Sequence, residues 1–327
     1  MWTGRSRRAK FVDKGDCGAP ATIRILGLVP KGQATPDHTI SIMGSGTGFG
    51  GFGHRTRRQG GFGHRAGRLF LWDIFVRARR PMSDPGDVII HDIRIANTEA
   101  YLVEPAGGGR GSGVLFLHWF DTEAPDGNRT QFLEEASGLA REHGTVSVLP
   151  QGQFPWSSAP TDAETDAERI RAEVERHRKA LDLLAARDDV DVGRIGLVGH
   201  DFGAMHGVVL AASDPRIAAT VMIAAPPRWG DWFLPFWPIA GDRWDYLRAL
   251  APLDPISRIG DLAPRPVCLQ FARNDFFIAA MTGSELHRSA GEPKDMHSYD
   301  GDHGVRDPQA AVDRTAFLGR HLGLADA

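Results

Sequence analysis

The residues best able to do chemistry in this 327-residue chain are Asp201, Asp275 and His303. Asp201 lies in Gly199-His200-Asp201-Phe202-Gly203, after the apolar strand pattern Arg194 to Val198 and before the small-residue helix pattern Ala204 to Ala212. A strand, a tight G-x-D-x-G turn and a helix make an elbow, in which flanking glycines permit the strained backbone that pushes the central side chain into a cleft. An aspartate there starts from a reference pKa of about 3.9, so at neutral pH it is a charged nucleophile that needs no base to activate it. Displacement at a saturated carbon suits it best. Attack on an ester carbonyl would instead give an anhydride, which lies uphill.

A covalent cycle of that kind needs a base for its second half and an acid to orient the base. The strand pattern Pro266 to Ala272 ends in Arg273-Asn274-Asp275, and Lys294 to Tyr299 ends in Asp300-Gly301-Asp302-His303-Gly304. Asp275 is the expected orienting carboxylate, and His303, on a glycine-flanked loop, the expected base. Asp231 is an alternative acid, one strand earlier. His200, His206 and His297 read as packing, helix and strand residues, and Asp300 and Asp302 as shapers of the His303 loop. There is no H-x-H, no H-E-x-x-H, no cysteine cluster at metal-ligand spacing and no nucleotide-binding glycine loop, so neither a metal nor a cofactor is expected.

The elements that must position these residues follow a regular alternation. Two alternating strands, 88–95 and 100–104, resemble an antiparallel entry pair. Strands are then expected at 113–118, 145–149, 194–198, 217–224, 266–272 and 294–299, and helices at 129–143, 167–187, 204–212, 278–290 and 308–322. That order implies a mostly parallel sheet flanked by helices, α/β in class, in a single domain over residues 82–327. The charged helix at 167–187 reads as a solvated face, because its opposite charges are spaced three or four apart. Between Ala225 and Pro255 lie Trp229, Trp232, Phe233, Phe236, Trp237, Trp244 and Tyr246, an aromatic-rich insertion over about 226–255 that could line an apolar pocket.

Residues 1–81 differ from the rest. They hold 15 Lys/Arg against 4 Asp (+11), while the remainder holds 23 against 37 acidic residues (−14). The segment carries 15 of the 39 glycines and repeats Gly51-Phe52-Gly53-His54-Arg55 as Gly61-Phe62-Gly63-His64-Arg65. It is expected to be a disordered Arg/Gly-rich extension arising from a mis-assigned start upstream of Met82; a nucleic-acid-binding arm is the competing reading. No apolar run is long enough to span a bilayer, no signal sequence opens the chain, and only Cys17 and Cys268 are present. A cytoplasmic protein acting on a small molecule is expected, without nucleic-acid or membrane partners; a homodimer remains open.

Residues 88–322 resemble an α/β-hydrolase, and within that superfamily the dienelactone hydrolase-like branch. The resemblance rests on the elbow, on its lead-in Asp191-Val192-Gly193-Arg194-Ile195-Gly196-Leu197-Val198, on Asp275 and on His303, in the chain order nucleophile, acid, histidine. It implies an eight-stranded sheet and a lid at the aromatic insertion. The aspartate at the elbow is similar to that of haloalkane dehalogenases, fluoroacetate dehalogenases and soluble epoxide hydrolases, which implies an alkyl-enzyme ester on Asp201 that His303 then hydrolyses with water. The chain departs from those families at Phe202, where they carry Trp or Arg, and it lacks a pair of lid tyrosines, Tyr246 alone being suitably located.

An oxyanion site is implied at the backbone N–H of Phe202 and at Phe120 in His118-Trp119-Phe120-Asp121, where relatives often carry a glycine in place of Trp119. Trp119, Trp232, Trp237 and Tyr246 are the expected pocket residues. Three activities compete: hydrolysis of a carbon–halogen, epoxide or related bond through Asp201; hydrolysis of an ester or lactone, with Asp201 serving as a base for water; and ligand binding without catalysis.

Overall fold

The apolar runs read from the sequence become strands because their side chains are covered on both faces, as in parallel sheets. The computed structural model describes residues 22–23, 40–41, 82–83, 88–107, 110–119, 121, 124, 126–153 and 160–324. Within residues 1–69, two short strands pair antiparallel, β1 (Thr22–Ile23) with β2 (Ile40–Ser41). The expectation of disorder over 1–81 otherwise lies outside the described residues.

Residues 70–327 form a separate unit. Its strands are β3 (Met82–Ser83), β4 (Val88–Ile95), β5 (Thr98–Pro105), β6 (Gly111–Leu117), β7 (Val146–Pro150), β8 (Val190–His200), β9 (Ile217–Ile223), β10 (Val267–Ala272) and β11 (Lys294–Tyr299). They form one sheet in the order β11-β10-β9-β8-β6-β7-β5-β4-β3. From β7 through β11 every neighbouring pair is parallel; β3, β4 and β5 join antiparallel at the other side. Eight strands match the expected sheet, and the two-residue β3 adds a short ninth at its edge. This is the α/β-hydrolase fold. Parallel pairing aligns the C-terminal ends of β6, β8, β10 and β11 on one edge of the sheet, the edge where such folds place their sites.

The helices are α1 (Leu133–His143), α2 (Ala163–Ala185), α3 (Phe202–Ser213), α4 (Trp229–Phe236), α5 (Arg243–Leu250), α6 (Pro255–Arg258), α7 (Ala280–Ser289) and α8 (Pro308–Leu322). The aromatic insertion contains α4, α5 and the start of α6. The helix expected at 167–187 begins earlier, at Ala163, because Asp162 accepts a hydrogen bond from the Thr165 amide and caps it. The charged side of α2 is exposed at Glu164, Glu168, Arg171, Glu175 and Asp182, as expected, but not throughout. Asp166, Glu173 and His177 are buried, Glu173 against Arg176 and the Gln153 amide, Asp166 against Arg169 and the Tyr246 hydroxyl. Intrahelical spacing alone could not reveal partners brought in from other segments.

Candidate active site

Strand β8 delivers Asp201 into an elbow with φ 51° and ψ −115°, a conformation that strains any residue with a Cβ. Its amide donates to the Ile223 carbonyl of β9, and its carbonyl accepts from Met205, the first bond of α3. The two glycines are required by close approach rather than by dihedral angle. A Cβ on Gly199 would meet the Cα of Ala204 at 2.7 Å, and one on Gly203 the Leu117 carbonyl oxygen at 2.2 Å. The turn thus wedges α3 against the end of β6.

Asp201, Asp275 and His303 meet at this edge. His303 Nδ1 lies 2.9 Å from Asp275 Oδ2, while its Nε2 faces Asp201 Oδ2 at 3.8 Å, beyond hydrogen-bond length, and has no hydrogen-bond partner among the described residues. The other oxygen of Asp275 accepts from the Phe277 and Ile278 amides at 2.8 and 3.0 Å, which fixes the carboxylate. Asp201 is 2% and His303 5% exposed, so the pair is largely withdrawn from water. Burial pushes the imidazole down, but the carboxylates of Asp201 and Asp275 outweigh it and raise its pKa to about 9. Removing one carboxylate removes part of that support. In Asp201→Asn the His303 pKa is therefore expected to fall well below 9, as read from an imidazole NMR titration; an unshifted titration would contradict the coupling.

A polar network ties the His303 loop to the loop after β6. Gln131 donates through Nε2 to His200 Nδ1 at 2.6 Å, which leaves the His200 proton on Nε2, and Nε2 donates to the His303 carbonyl at 2.9 Å. Burial holds the His200 pKa well below its ordinary value, consistent with this neutral tautomer. Gln131 Oε1 accepts the Trp119 amide at 2.9 Å, and the Trp119 indole stacks on His200 with ring centroids 5.3 Å apart. The Trp119 carbonyl accepts from Asn128 and from His118 Nδ1, while His118 Nε2 accepts the Gly152 amide. His200 is thus more than a packing residue.

The amide of Trp119 is committed to Gln131, so it is not the oxyanion donor. Phe120, expected in that role, lies outside the described residues. Phe202 opens α3, with its ring stacked on Trp232 at 5.5 Å.

Of the expected pocket residues, two flank Asp201 and His303. Trp119 lies 5.2 Å from the His303 ring, and Trp232 donates its indole N–H to Asp201 Oδ1 at 2.6 Å. The base of α4 is fixed one turn earlier: the Trp229 amide and indole donate to Asp254 Oδ1 and the Leu253 carbonyl. Tyr246 is a correction. Its buried hydroxyl donates to Asp166 at 2.8 Å, in the packing of α5 on α2, because that carboxylate is buried and needs a donor. Trp237 packs edge-on against Phe233. Asp231 pairs with Arg228 rather than with His303. Sequence reasoning gave no role to Gln131, a residue whose type carries no signal without its two partners, or to Phe277, whose ring lies 5.2 Å from His303.

Residues 117–278 match the family described as alpha/beta hydrolase fold, a span that includes Asp201 and Asp275 and stops before His303. Among solved structures the chain is similar to acetyl xylan esterase 1 from Thermoanaerobacterium sp. (TM-score 0.55, 15% identity, 76% of this chain and 88% of that one). It is also similar to the esterase domain of a Rhodothermus marinus protein (TM-score 0.54, 17% identity, 73% and 100%). A third is a 2,6-dihydroxy-pseudo-oxynicotine hydrolase (TM-score 0.52, 18% identity, 71% and 67%). No curated protein matches the sequence. The chain is a hydrolase of the α/β-hydrolase fold. Among the described residues no helix is long and apolar enough to cross a membrane, and no group of His, Cys, Asp or Glu is arranged to hold a metal ion.

Proposed function

We propose that the protein hydrolyses a carbon–halogen, epoxide or related bond of a small apolar molecule through an ester formed on Asp201. The observation that carries this reading is a carboxylate at the elbow with one oxygen held by the Trp232 N–H and the other directed to an imidazole 3.8 Å away. In the first step Oδ2 forms a bond to the substrate carbon and the leaving group departs with its electron pair. The Asp201 charge disappears with that step. Its contribution to the raised His303 pKa disappears too, so the imidazolium present at rest gives up its proton, to the oxygen of an opened epoxide or to solvent when a halide leaves, and becomes a base when water must be activated.

Water then gives its proton to His303 and adds to the Asp201 carbonyl carbon. The developing oxyanion sits on Oδ1, where Trp232 already donates, with the amide after the nucleophile as a second donor. On collapse His303 passes that proton to the leaving oxygen, releasing an alcohol whose oxygen came from Asp201 and restoring the carboxylate.

Trp232→Phe keeps the stack on Phe202 and removes the N–H. It is expected to lower kcat by about 10²-fold, the typical effect of losing one oxyanion donor, with KM little changed. A fall confined to KM would assign Trp232 to ground-state binding alone.

The deciding experiment is one turnover in ¹⁸O-labelled water with enzyme in excess. The covalent route gives unlabelled product in the first cycle and label in Asp201. Labelled alcohol from a halide or epoxide in that cycle overturns it; the second reading, ester hydrolysis by direct attack of water, which the esterase structures favour, is supported instead by turnover of an ester with label in the acid and none in Asp201.

A further inference from the structure

Trp232 can hold Asp201 only if α4 is itself held, and α4 is a poor helix on its own. It is eight residues long, Pro235 inside it has no amide to bond the preceding turn, and Arg228 at its cap position carries only donors, with no acceptor for the first amides. The helix is fixed instead from a turn far downstream. The Trp229 amide donates to Asp254 Oδ1, the Trp229 indole to the Leu253 carbonyl and the Ile256 amide to the Pro227 carbonyl, each at 2.9 Å.

Of these three acceptors Asp254 is the one side chain, and it is buried. Burial pushes its carboxyl up to about 6, so at neutral pH it is still a charged acceptor at the positive end of α4. Trp229 and Trp232 lie one turn apart on the same side of the helix, and both rings stack on Phe202, at 6.1 and 5.5 Å. Movement at the Trp229 amide is therefore carried to the Trp232 indole.

We propose that Asp254 is a positioning residue: by accepting the Trp229 amide it caps α4 from outside the helix and sets the Trp232 N–H on Asp201. The consequence for turnover rests on the proposed function. The placement of the indole does not.

Placement is read from the ¹⁵N-indole resonances of the full chain, with the Trp232 signal assigned by its loss in Trp232→Phe. In Asp254→Ala that signal is expected to move toward the position of an unbonded indole, and its proton to exchange at least about tenfold faster. Asp254→Asn keeps the acceptor and should keep the signal. On bromobutane or styrene oxide, whichever turns over, kcat should fall about tenfold in Asp254→Ala with KM little changed, part of the loss expected for removing the donor itself, and Asp254→Asn should restore it. In the Trp232→Phe background Asp254→Ala should lower kcat no further, because a residue that acts through the indole then has nothing to act on.

An unmoved Trp232 signal in Asp254→Ala overturns the proposal. So does a loss of kcat in the double variant equal to the product of the two single losses, which would make Asp254 a support of the fold at large. Where urea denaturation shows Asp254→Ala to be unfolded, Asp254→Asn decides, and a displaced Trp232 signal in that variant overturns the proposal. A moved signal with kcat unchanged in Asp254→Ala and Trp232→Phe alike would leave the placement standing and remove Trp232 from the oxyanion site.

Discussion

His303→Gln is expected to stop after a single chemical step and to accumulate substrate on Asp201. The first step needs only the carboxylate, and the elbow, Asp201 and the Trp232 donor do not depend on the imidazole for their position. The second step needs a base within reach of a water beside the Asp201 carbonyl carbon, and His303 Nε2 is the group so placed. Glutamine fills similar space without accepting a proton, so turnover should fall by about 10³-fold or more, toward the residual rates seen when triad members are removed. Intact mass after incubation with haloalkanes and epoxides should show an adduct on Asp201. A variant that loses turnover and carries no adduct across the panel would remove the covalent mechanism.

Gly203→Ala is expected to be strongly destabilising. Its added methyl group would meet the Leu117 carbonyl carbon at 2.6 Å and the His118 carbonyl oxygen at 2.7 Å, as well as the 2.2 Å contact with the Leu117 oxygen. All are backbone atoms, so no side chain can swing away. Either α3 lifts off the end of β6 or the elbow opens. Overpacking of a core costs about 1–3 kcal/mol where side chains adjust, and here the loss should reach about 3 kcal/mol or more. Urea denaturation reads this directly. Gly138→Ala, in α1, is the control: nothing lies within 4 Å of its added methyl group, and stability should hold or rise by a few tenths of a kcal/mol. Equal loss in both variants would show that the elbow is less tightly packed than its geometry implies.

The sheet was legible in the sequence wherever burial is two-sided. Runs such as Val267 to Ala272 and Ile217 to Ile223 are continuous and apolar because helices cover both faces, and the expected strands fall within one to four residues of the observed ends. The acidic pair and histidine were legible for a different reason: strand, elbow and glycine-flanked loop are local patterns, and parallel pairing carries them to one edge.

What was illegible depends on partners far away in sequence. The N–H of Trp232 acquires a role through Asp201, 31 positions earlier, and Gln131 through His200, 69 positions later. Tyr246 was placed near the site because it lies in the aromatic insertion, whereas the buried Asp166, 80 positions earlier, claimed its hydroxyl. Charge spacing along α2 correctly suggested exposure for residues such as Glu168 and Glu175, but could not single out Asp166 and Glu173 as buried. A buried carboxylate and a solvated one look alike until the groups that surround them are known.

The imidazoles packed around the site have one further effect. His118 is lowered to about 4 and His206 to about 3, and burial also holds His177 and His200 down. Each must stay neutral in the fold but gains a proton readily once unfolded, so the folded form loses ground as pH falls below about 6.5. His303 does the opposite: its contribution to stability is complete below about 6.5 and fades as pH rises through about 9. Between those limits, of these five rings only His303 changes charge. Of these five rings, a pH–activity curve taken across neutrality therefore reads His303: its proton must be lost before water can be activated, so an acid limb belongs to that step, and the other four imidazoles enter only through the stability of the fold.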